Sequence, residues 1–417
     1  MKIEFASSSA PDAPIVVTSV MNRWGETGVQ THINEFLQYL TEQKHEEHFV
    51  GPSESIHRRI ILRVLAGLIR RAIRLQKQTG RYLLSCISIF AIRSELRRTL
   101  RGRSSWCIYA QDPTCARASL SLKKGENQRV VLAVHFNLSQ ADEMADRGFL
   151  KHGDWFYRIM QRNEREVLAE ADGVVFFSRF MEQHILQQGI KLRDRIVVPH
   201  TAAELKADHD AGSRDLIAIG SLEPRKNQSY ILQVLHHAAM RGHRYTLTLV
   251  GSGEDRRRLE DQVQELGLGG QVVFTGRHPV AASLLAAHSV MVHAAKIENL
   301  PITLIESLAA GKPILAPRVG GIPEVFNDGV EGFFWPLDDP RAGAEFLIKI
   351  MEDEGLRARM SAAAKKRFRT HFARDVIHRK LLSFVRVGGS SSESVDEYGD
   401  TGIMSNLSSG TQTEQFM

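Results

Sequence analysis

Two series of short apolar runs, separated by amphipathic stretches, follow one another along the chain. Between the runs of the first series, apolar residues recur with helical spacing, for example over residues 29–40 and 155–171. After Pro199 the alternation restarts. Buried strands that alternate with helices are typical of parallel sheets covered by helices on both faces. The runs predicted as strands are PIVVTSV, CIYA, VVLAVHF, GVVFF and RIVVP, then LIAIG, YTLTLVG, VVFTG, VMVHA and PILAP.

This pattern predicts an α/β protein with two doubly wound, Rossmann-like domains that face each other across a cleft. The first domain is placed at residues 1–200 and the second at 201–372, with a short link at about 200–213. A further helix is predicted at 373–387. Residues 388–417 are rich in Ser, Gly and Thr and carry five acids and no bases, so a disordered tail is expected there.

The composition is that of a soluble globular protein. Of the 417 residues, 43% are hydrophobic and 24% are charged, which is ordinary for that class. Cys86, Cys107 and Cys115 lack metal-ligand spacing and favour a reducing compartment over a disulfide framework. The start of the chain lacks a signal-peptide core, and no apolar run reaches the ~20 residues of a membrane-spanning helix. We therefore expect a cytoplasmic protein.

Positive charge is concentrated in residues 57–103, which contain thirteen Lys or Arg and a single acid, Glu95. On a helical projection six cations form one narrow stripe, and the remaining surface is almost wholly apolar. Such a helix favours docking on an anionic membrane surface. The alternative is a domain helix packed on the sheet with its stripe in solvent. Nucleic-acid binding is disfavoured, because the segment lacks aromatic residues for base stacking. The six cations are Arg59, Arg63, Arg70, Arg74, Lys77 and Arg81.

Two glutamates in the stretch KIENLPITLIESLAAGKPILAP are the most informative residues of the chain. A helix is predicted to begin at about 299–301, because Asn is a good N-cap and Pro is tolerated in the first turn. Glu298 would then lie at the helix mouth and Glu306 about two turns inside, roughly 10 Å away. The helix mouth offers unpaired N–H groups to a diphosphate. Two carboxylates flanking an anion site suit a nucleotide sugar; the alternative is an amphipathic helix with two solvated glutamates.

Residues 215–336 closely resemble the nucleotide-binding half of retaining glycosyltransferases of family 4 (glycosyl transferases group 1), which have the GT-B fold. The matching segments keep the order and spacing of that family. The first half of the chain is similar more loosely, and residues of about 50–125 and beyond 388 match nothing. The segments are DLIAIGSLEPRKNQSYILQVL, LTLVGSGEDRRRLEDQVQELGL, QVVFTGRH and ENLPITLIESLAAGKPILAPRVGGIPEVFNDGVEGFFWP, and in the first half WGETGVQTHINEFLQYL, VVLAVHF, EREVLAEADGVVFFS and RIVVPHT.

The resemblance implies a nucleotide-sugar site in the second domain. Glu306 would hold the ribose hydroxyls, and Glu298 would accept hydrogen bonds from hydroxyls of the transferred sugar. Arg225 and Lys226 would neutralise the departing diphosphate, Arg as a bidentate donor and Lys as a point charge. The backbone expected to bind the hexose or the β-phosphate is that of Asn299, Leu300 and Pro301.

Glycines and two further polar residues complete the implied nucleotide pocket. Gly251 and Gly253 follow a predicted strand and would line the pocket, and Arg277 and His278 would lie near the base. Gly28 opens the first helix, where backbone can approach phosphate or acceptor. Taken alone, Gly251 and Gly253 are a weak signal, because glycine commonly ends strands. Gly320 and Gly321 would permit a close backbone approach at another strand end, with a plain turn as the alternative.

His135 ends the run VVLAVHF, at a position where relatives place an active-site histidine that contacts the donor sugar or its phosphate. The alternative is a histidine that packs or caps. The chain also departs from the family pattern. Ser221 stands where many relatives have Arg, and Thr27 precedes Gly28 where the family has two glycines. Asn-Leu-Pro at 299–301 replaces Gly-Phe-Gly, which leaves the donor open.

The resemblance further implies a retaining transfer without metal or other cofactor, since no Asp-x-Asp pair stands where a divalent ion would bridge the phosphates. The first domain would bind the acceptor, and the helix at 373–387 would cross back onto it. The leading hypothesis is a hexosyltransferase acting on a polyprenyl-linked or other lipid-linked glycan in exopolysaccharide or lipopolysaccharide assembly, at the inner face of the cytoplasmic membrane. The alternatives are a soluble acceptor and a catalytically inactive nucleotide-sugar-binding protein. A pyridoxal-dependent phosphorylase is disfavoured, because no cofactor-lysine motif is present.

Overall fold

The structure, a computed structural model, describes residues 13–25, 27–51, 77–203, 214–278 and 281–388. Twelve strands occur in these ranges. They are β1 Ile15–Thr18, β2 Glu47–Val50, β3 Trp106–Ala110, β4 Gln128–Val134, β5 Gly173–Phe176, β6 Arg195–Val197, β7 Arg214–Ile219, β8 Leu247–Val250, β9 Val272–Gly276, β10 His288–Val292, β11 Ile314–Ala316 and β12 Gly332–Phe334.

The strands form two parallel sheets of six, in the orders β2–β1–β3–β4–β5–β6 and β12–β11–β10–β7–β8–β9. Each sheet contains strands from one half of the chain, and helices connect successive strands. All ten predicted strands are present. The predicted α/β class with two doubly wound sheets is therefore confirmed.

Thirteen α-helices surround the sheets in the described ranges, together with short 3-10 helices at Pro224–Lys226 and Ala281–Ala287. A helix was expected before the run VMVHA, and the 3-10 helix Ala281–Ala287 takes its place. The α-helices are α1 Gly28–Glu42, α2 Lys77–Thr99, α3 Pro113–Leu120, α4 Gln140–Asp146, α5 Trp155–Glu170, α6 Arg179–Gln187, α7 Gln228–Met240, α8 Arg256–Glu265, α9 Ile302–Ala309, α10 Ile322–Val325, α11 Pro340–Glu352, α12 Glu354–Arg367 and α13 Arg374–Arg386.

The apolar pattern of the sequence does not predict strands β2 and β12. Each of them lies at the edge of its sheet. β2 reads EHFV, and three of its four residues are only partly buried. β12 has three residues, GFF. β2 therefore lacks the continuous apolar run that marks a central strand, and β12 is too short for its apolar residues to be recognised as a strand.

The basic segment at 57–103 is described from residue 77 onward, within α2. The C-terminal half of α2 packs on the first sheet through Ile92 and Leu96, which are buried. Nearer its start, Leu83 and Phe90 are 43% and 72% exposed. The end of α2, from Ile92 onward, thus packs as part of the first domain. The cationic stripe from 59 to 74, the link at 204–213 and the tail from 389 lie outside the described residues. Within them, no helix has the length and apolar character needed to cross a bilayer.

Helix α13 follows the second sheet in sequence but packs on the first domain. Leu381 and Phe384 are buried in a hydrophobic cluster that includes residues of α1 and β3. The Arg374 guanidinium donates a 2.7 Å hydrogen bond to Glu42 of α1. Arg129 of β4 lies 5.5 Å from the centre of the Phe384 ring. The end of the described chain therefore completes the core under the first sheet.

His378 of α13 is an imidazole buried in this core. It has no exposed surface, and its ring lies 5.7 Å from that of Phe36 and 5.2 Å from that of Tyr39. Neither ring nitrogen has a hydrogen-bond partner among the described groups. Burial, with smaller contributions from His32 and Arg374, lowers the pKa of His378 to about 3. The folded protein therefore holds this side chain neutral.

His378 is expected to contribute to acid lability. Above its ordinary pKa of 6.5 the ring is neutral in both folded and unfolded chains, so it adds no pH dependence. Below 6.5 the unfolded chain binds a proton that the folded chain does not accept until about pH 3, so the free energy of unfolding falls over that window. Replacement by Leu removes this contribution.

We therefore predict that the melting temperature of His378→Leu falls less than that of the wild type between about pH 7 and about pH 4. Differential scanning fluorimetry measures both proteins. Carboxylates titrate equally in the two, so the difference between the curves isolates the histidine. Parallel curves would show that protonation of His378 does not limit stability.

Candidate active site

The centre of the candidate site is the carboxylate of Glu298, in the loop between β10 and α9. Glu298 is 7% exposed. Lys226 Nζ donates a hydrogen bond to its Oε1, and Arg225 Nη1 lies 3.4 Å from its Oε2. His293, directly after β10, places Nε2 3.4 Å from Oε1. A buried carboxylate needs such partners, because an unpaired charge in the interior is costly.

These neighbours decide the charge of Glu298. Burial alone raises the pKa of Glu298, but the Lys226 ammonium, His293 and Arg225 together hold the pKa well below its usual range. Burial lowers the pKa of His293. The site therefore contains an ionised carboxylate, two cations and a neutral imidazole. His293 was not among the predicted residues, although its place at the end of a central strand marked it as a candidate.

Arg225 and Lys226 form the end of the 3-10 helix that follows β7. Arg225 Nη1 donates to the carbonyl of Ile297 at 3.1 Å, and Nη2 donates to Glu223 at 2.8 Å. The Lys296 amide in turn donates to the Arg225 carbonyl at 2.9 Å. The two cations are thus fixed on the loop that carries Glu298. The structure brings the three predicted residues into one group, and their roles toward a donor stay predictions.

The expected role of Asn299 as a helix cap is wrong. Helix α9 begins at Ile302, and Pro301 is its N-cap with an extended backbone. The residue before a proline is disfavoured in helical conformation, which keeps Leu300 out of the helix and stops the helix from extending back to Asn299. Asn299 is instead 5% exposed and contacts the first domain.

Two of the three amides at residues 299–301 are not available to a donor in this structure, and the expected backbone contacts of these residues stay a prediction. The Asn299 amide already donates to Asn137 Oδ1 at 2.8 Å, and Pro301 has no amide hydrogen. Leu300 is buried in the hydrophobic cluster between the sheets. Donation to a diphosphate would fall to the Leu300 amide and the first turn of α9.

Two glycines after β11 hold the Glu298 loop in place. The Gly321 amide donates to the Glu298 carbonyl at 2.9 Å. A Cβ at Gly320 would lie 2.0 Å from the Glu298 carbonyl oxygen, and one at Gly321 would lie 1.8 Å from that of Asn299. The close backbone approach expected at a strand end does occur, and the approaching backbone is that of the site loop.

Gly251 and Gly253 are likewise required by packing within the second domain. A Cβ at Gly251, whose φ is 145°, would lie 1.9 Å from the Gly220 carbonyl oxygen, and one at Gly253 would lie 2.0 Å from that of Leu222. The ends of β7 and β8 therefore touch backbone to backbone. Gly28 differs, since a Cβ there would lie 3.1 Å from a side-chain carbon of Ile302. The first turns of α1 and α9 thus face each other across the cleft.

Glu306 lies in α9, apart from the Glu298 group. Its carboxylate has no hydrogen bond or ion pair to another described residue, and burial raises its pKa to about 7. Arg277 is exposed and donates to Ser252 Oγ at 2.9 Å, and His278 is partly buried. A partly buried carboxylate without a partner is suited to accept hydrogen bonds from hydroxyl groups.

His135 follows β4 and belongs to an aromatic cluster of the first domain. Its Nε2 lies 2.8 Å from Gln111 Oε1, and its ring stacks on Phe177 at 4.5 Å. The rings of His32 and His200 lie 5.4 and 5.7 Å away. Burial and the neighbouring His32 hold the pKa of His135 well below its ordinary value. His135 is therefore neutral, and its contact with a donor stays a prediction.

Two family models match the chain in sequence. The model described as glycosyltransferase family 4 matches residues 27–204, and that described as glycosyl transferases group 1 matches residues 202–367. The chain belongs to this glycosyltransferase family. The two matches meet within the predicted link at about 200–213, and each falls on the half of the chain that forms one sheet.

Curated relatives of the family are similar over part of their length. N-acetyl-alpha-D-glucosaminyl L-malate synthase of Bacillus anthracis is 32% identical over 120 residues, 29% of this chain and 32% of that protein. The lipopolysaccharide core biosynthesis glycosyltransferase LpsE of Rhizobium meliloti is 28% identical over 172 residues, 41% of this chain and 49% of the relative. The alignments thus span about a third to a half of these relatives.

A solved structure supports the fold. HepE of Anabaena, in complex with UDP, superimposes with a TM-score of 0.66 at 14% identity, covering 89% of this chain and 99% of that chain. The predicted GT-B fold, with two Rossmann-like domains, is therefore confirmed for this family 4 member.

The packing account of the glycines predicts that Gly251→Ala strongly destabilises the second domain without any nucleotide present, because the new methyl would meet the Gly220 carbonyl at 1.9 Å. Gly28→Ala is the matched control, since its methyl would meet only a flexible side chain at 3.1 Å. Thermal unfolding of both proteins, followed by circular dichroism, measures the difference. Wild-type melting of Gly251→Ala would contradict the packing account.

Proposed function

We propose that this family 4 glycosyltransferase moves a hexose from a nucleoside-diphosphate sugar to a glycan acceptor with retention at the anomeric carbon. The observation that carries the proposal is the buried group of Glu298, Arg225 and Lys226, with the unpaired Glu306 in helix α9, which follows the Glu298 loop. An ionised acceptor, two cations and a helix N-terminus at one edge of a parallel sheet match the parts of a sugar diphosphate.

Lys226 has two roles in this proposal. Without a donor it neutralises Glu298. When the diphosphate binds, phosphate oxygens replace Glu298 as the partner of Lys226, and the carboxylate then accepts hydrogen bonds from the sugar hydroxyls. His293, which also contacts Glu298, keeps the carboxylate positioned during this exchange.

In the proposed reaction, the bond between the anomeric carbon and the phosphate oxygen breaks, and a bond to the acceptor oxygen forms on the same face. The phosphate oxygen takes the proton of the acceptor hydroxyl. Negative charge develops on the leaving diphosphate, and Arg225 and Lys226 stabilise it. These cations and the amides at the start of α9 supply the positive charge, so we propose that the transfer does not require a metal ion.

Glu306 is the proposed ribose ligand. Its carboxylate is partly buried and has a pKa of about 7, so it is easily protonated in the empty site. Two ribose hydroxyls that donate to it stabilise the ionised form and lower its pKa on binding. Nucleotide affinity should therefore be greatest above pH 7 and weaken as the pH falls through that value.

We further propose a lipid-linked acceptor, reached at the inner face of the cytoplasmic membrane. The basic segment 57–103 supports it, since α2 exposes Leu83 and Phe90, and the exposed Arg97 follows on the same helical face two turns after Phe90. Apolar side chains next to cations suit the interface of an anionic bilayer. The lipopolysaccharide pathway of the relative LpsE points the same way.

The donor proposal predicts that a nucleoside diphosphate and its sugar raise the melting temperature of the wild type in a thermal-shift panel. Glu306→Gln should reduce that shift and make the remaining shift independent of pH around pH 7, because an amide does not titrate. A Glu306→Gln protein with wild-type affinity and pH dependence would remove the ribose assignment.

Lys226→Ala tests the cation assignment in the same panel. We expect it to fold and to lower turnover by at least about tenfold, because charge on the leaving group loses a partner in the transition state. Donor hydrolysis or transfer with the best ligand of the panel measures turnover. Normal turnover would show that Lys226 does not serve the diphosphate.

Membrane docking predicts that the protein floats with anionic liposomes and that replacing the six stripe cations by Gln abolishes flotation. The matched control replaces six exposed cations of the second domain, Arg241, Arg244, Arg257, Arg258, Arg359 and Lys366, and should float as the wild type does. Equal flotation of the two variants would contradict docking through the basic segment.

A further inference from the structure

One side chain joins the two domains at the floor of the cleft. Asn299 Nδ2 donates to the carbonyls of Val134 and Phe136, both at 3.0 Å, and its Oδ1 accepts from Ser178 Oγ at 2.6 Å. The backbone amide of Asn299 donates to Asn137 Oδ1 at 2.8 Å. All these partners belong to the first domain. We call this set of four hydrogen bonds the Asn299 contact.

The Asn299 contact lies between the two proposed halves of the site. Asn299 directly follows Glu298, and the two carbonyls that it binds flank His135. The Asn299 side chain is almost completely buried. Its carboxamide group therefore finds hydrogen-bond partners only when the two domains keep this relative position. A shift of one domain by a few ångströms would leave buried polar groups unpaired, which is unfavourable.

Neighbouring contacts brace both sides of the Asn299 contact. The Asn137 amide donates to Glu143 at 3.1 Å, which fixes the acceptor of the Asn299 amide. Beside Ser178, the amides of Arg179 and Phe180 donate to Glu324 of the second domain at 2.8 and 2.9 Å. Glu324 therefore caps α6 across the domain boundary, where a carboxylate is favoured by the helix dipole.

We propose that Asn299 is a positioning residue: it fixes the closed cleft and holds Glu298 at the right distance from His135. The inference deepens the proposed function and rests on it. Asn299 does not touch the substrate in this role. It sets the fraction of molecules in which the loop that carries Glu298 and the segment around His135 are aligned. Domain closure of this kind changes turnover more than it changes donor binding.

Asn299→Ala and Asn299→Asp test the proposal together. Asp has nearly the size of Asn and can still accept from Ser178, but it cannot donate to two carbonyls. If the contact positions the site, both variants lower kcat by at least about tenfold, while the donor KM changes by less than about threefold. If only side-chain volume mattered, Asp would keep wild-type kcat, and the proposal would be overturned.

A structural readout accompanies the kinetics. Small-angle X-ray scattering, with and without saturating UDP, should show a larger radius of gyration for both variants than for the wild type. Thr248→Val is the matched control, because it deletes a buried hydrogen bond, to His288 at 2.8 Å, inside the second sheet alone. It should keep the kcat and the radius of gyration of the wild type, even if its melting temperature falls.

Asn137→Ala provides a second route to the same answer if the Asn299 variants fold poorly. It removes one partner of the Asn299 contact and should lower kcat in the same direction. Wild-type compactness and kcat in the Asn299 and Asn137 variants would overturn the proposal. If the wild type transfers sugar from none of the donors, the proposed function is wrong. In that case the radius of gyration still decides whether Asn299 holds the two domains together.

Discussion

The structure depends on the burial of one carboxylate, that of Glu298. An ionised group in the interior must be paired, and the chain supplies its partners from separate elements. Lys226 and Arg225 come from the turn after β7, and His293 comes from the end of β10. The two cations fix the turn after β7 and His293 fixes the end of β10, so the pairing of a single charge organises the two strand ends at which the chemistry is proposed.

Most of the fold could be predicted because central parallel strands are buried on both faces and read as continuous apolar runs. The missed strands β2 and β12 lie at edges, where EHFV carries no such signal. The site, too, could be predicted only in part. The resemblance to family 4 glycosyltransferases implied that Glu298 and two cations belong to one site. The partners of Asn299 could not be predicted, since capping preferences describe neighbours in sequence and Asn299 binds residues more than 120 positions away.

The glycines show how one local signal arises from different causes. Gly251 and Gly253 follow a strand, as phosphate-binding glycines do, yet the close approach there is between the protein's own strand ends. At Gly28 the neighbouring atom is a side chain of the other domain. A glycine at a strand end indicates that something approaches the backbone, and the three-dimensional packing identifies what approaches.

Helix α13 has a consequence for how the protein is made. Domains generally fold during synthesis in the order in which they leave the ribosome. Here Leu381 and Phe384, which come after the second domain, belong to the core under the first sheet. The first domain therefore cannot finish folding when its own strands have been translated. Its core stays incomplete until the second domain has emerged and residues 374–386 pack against it.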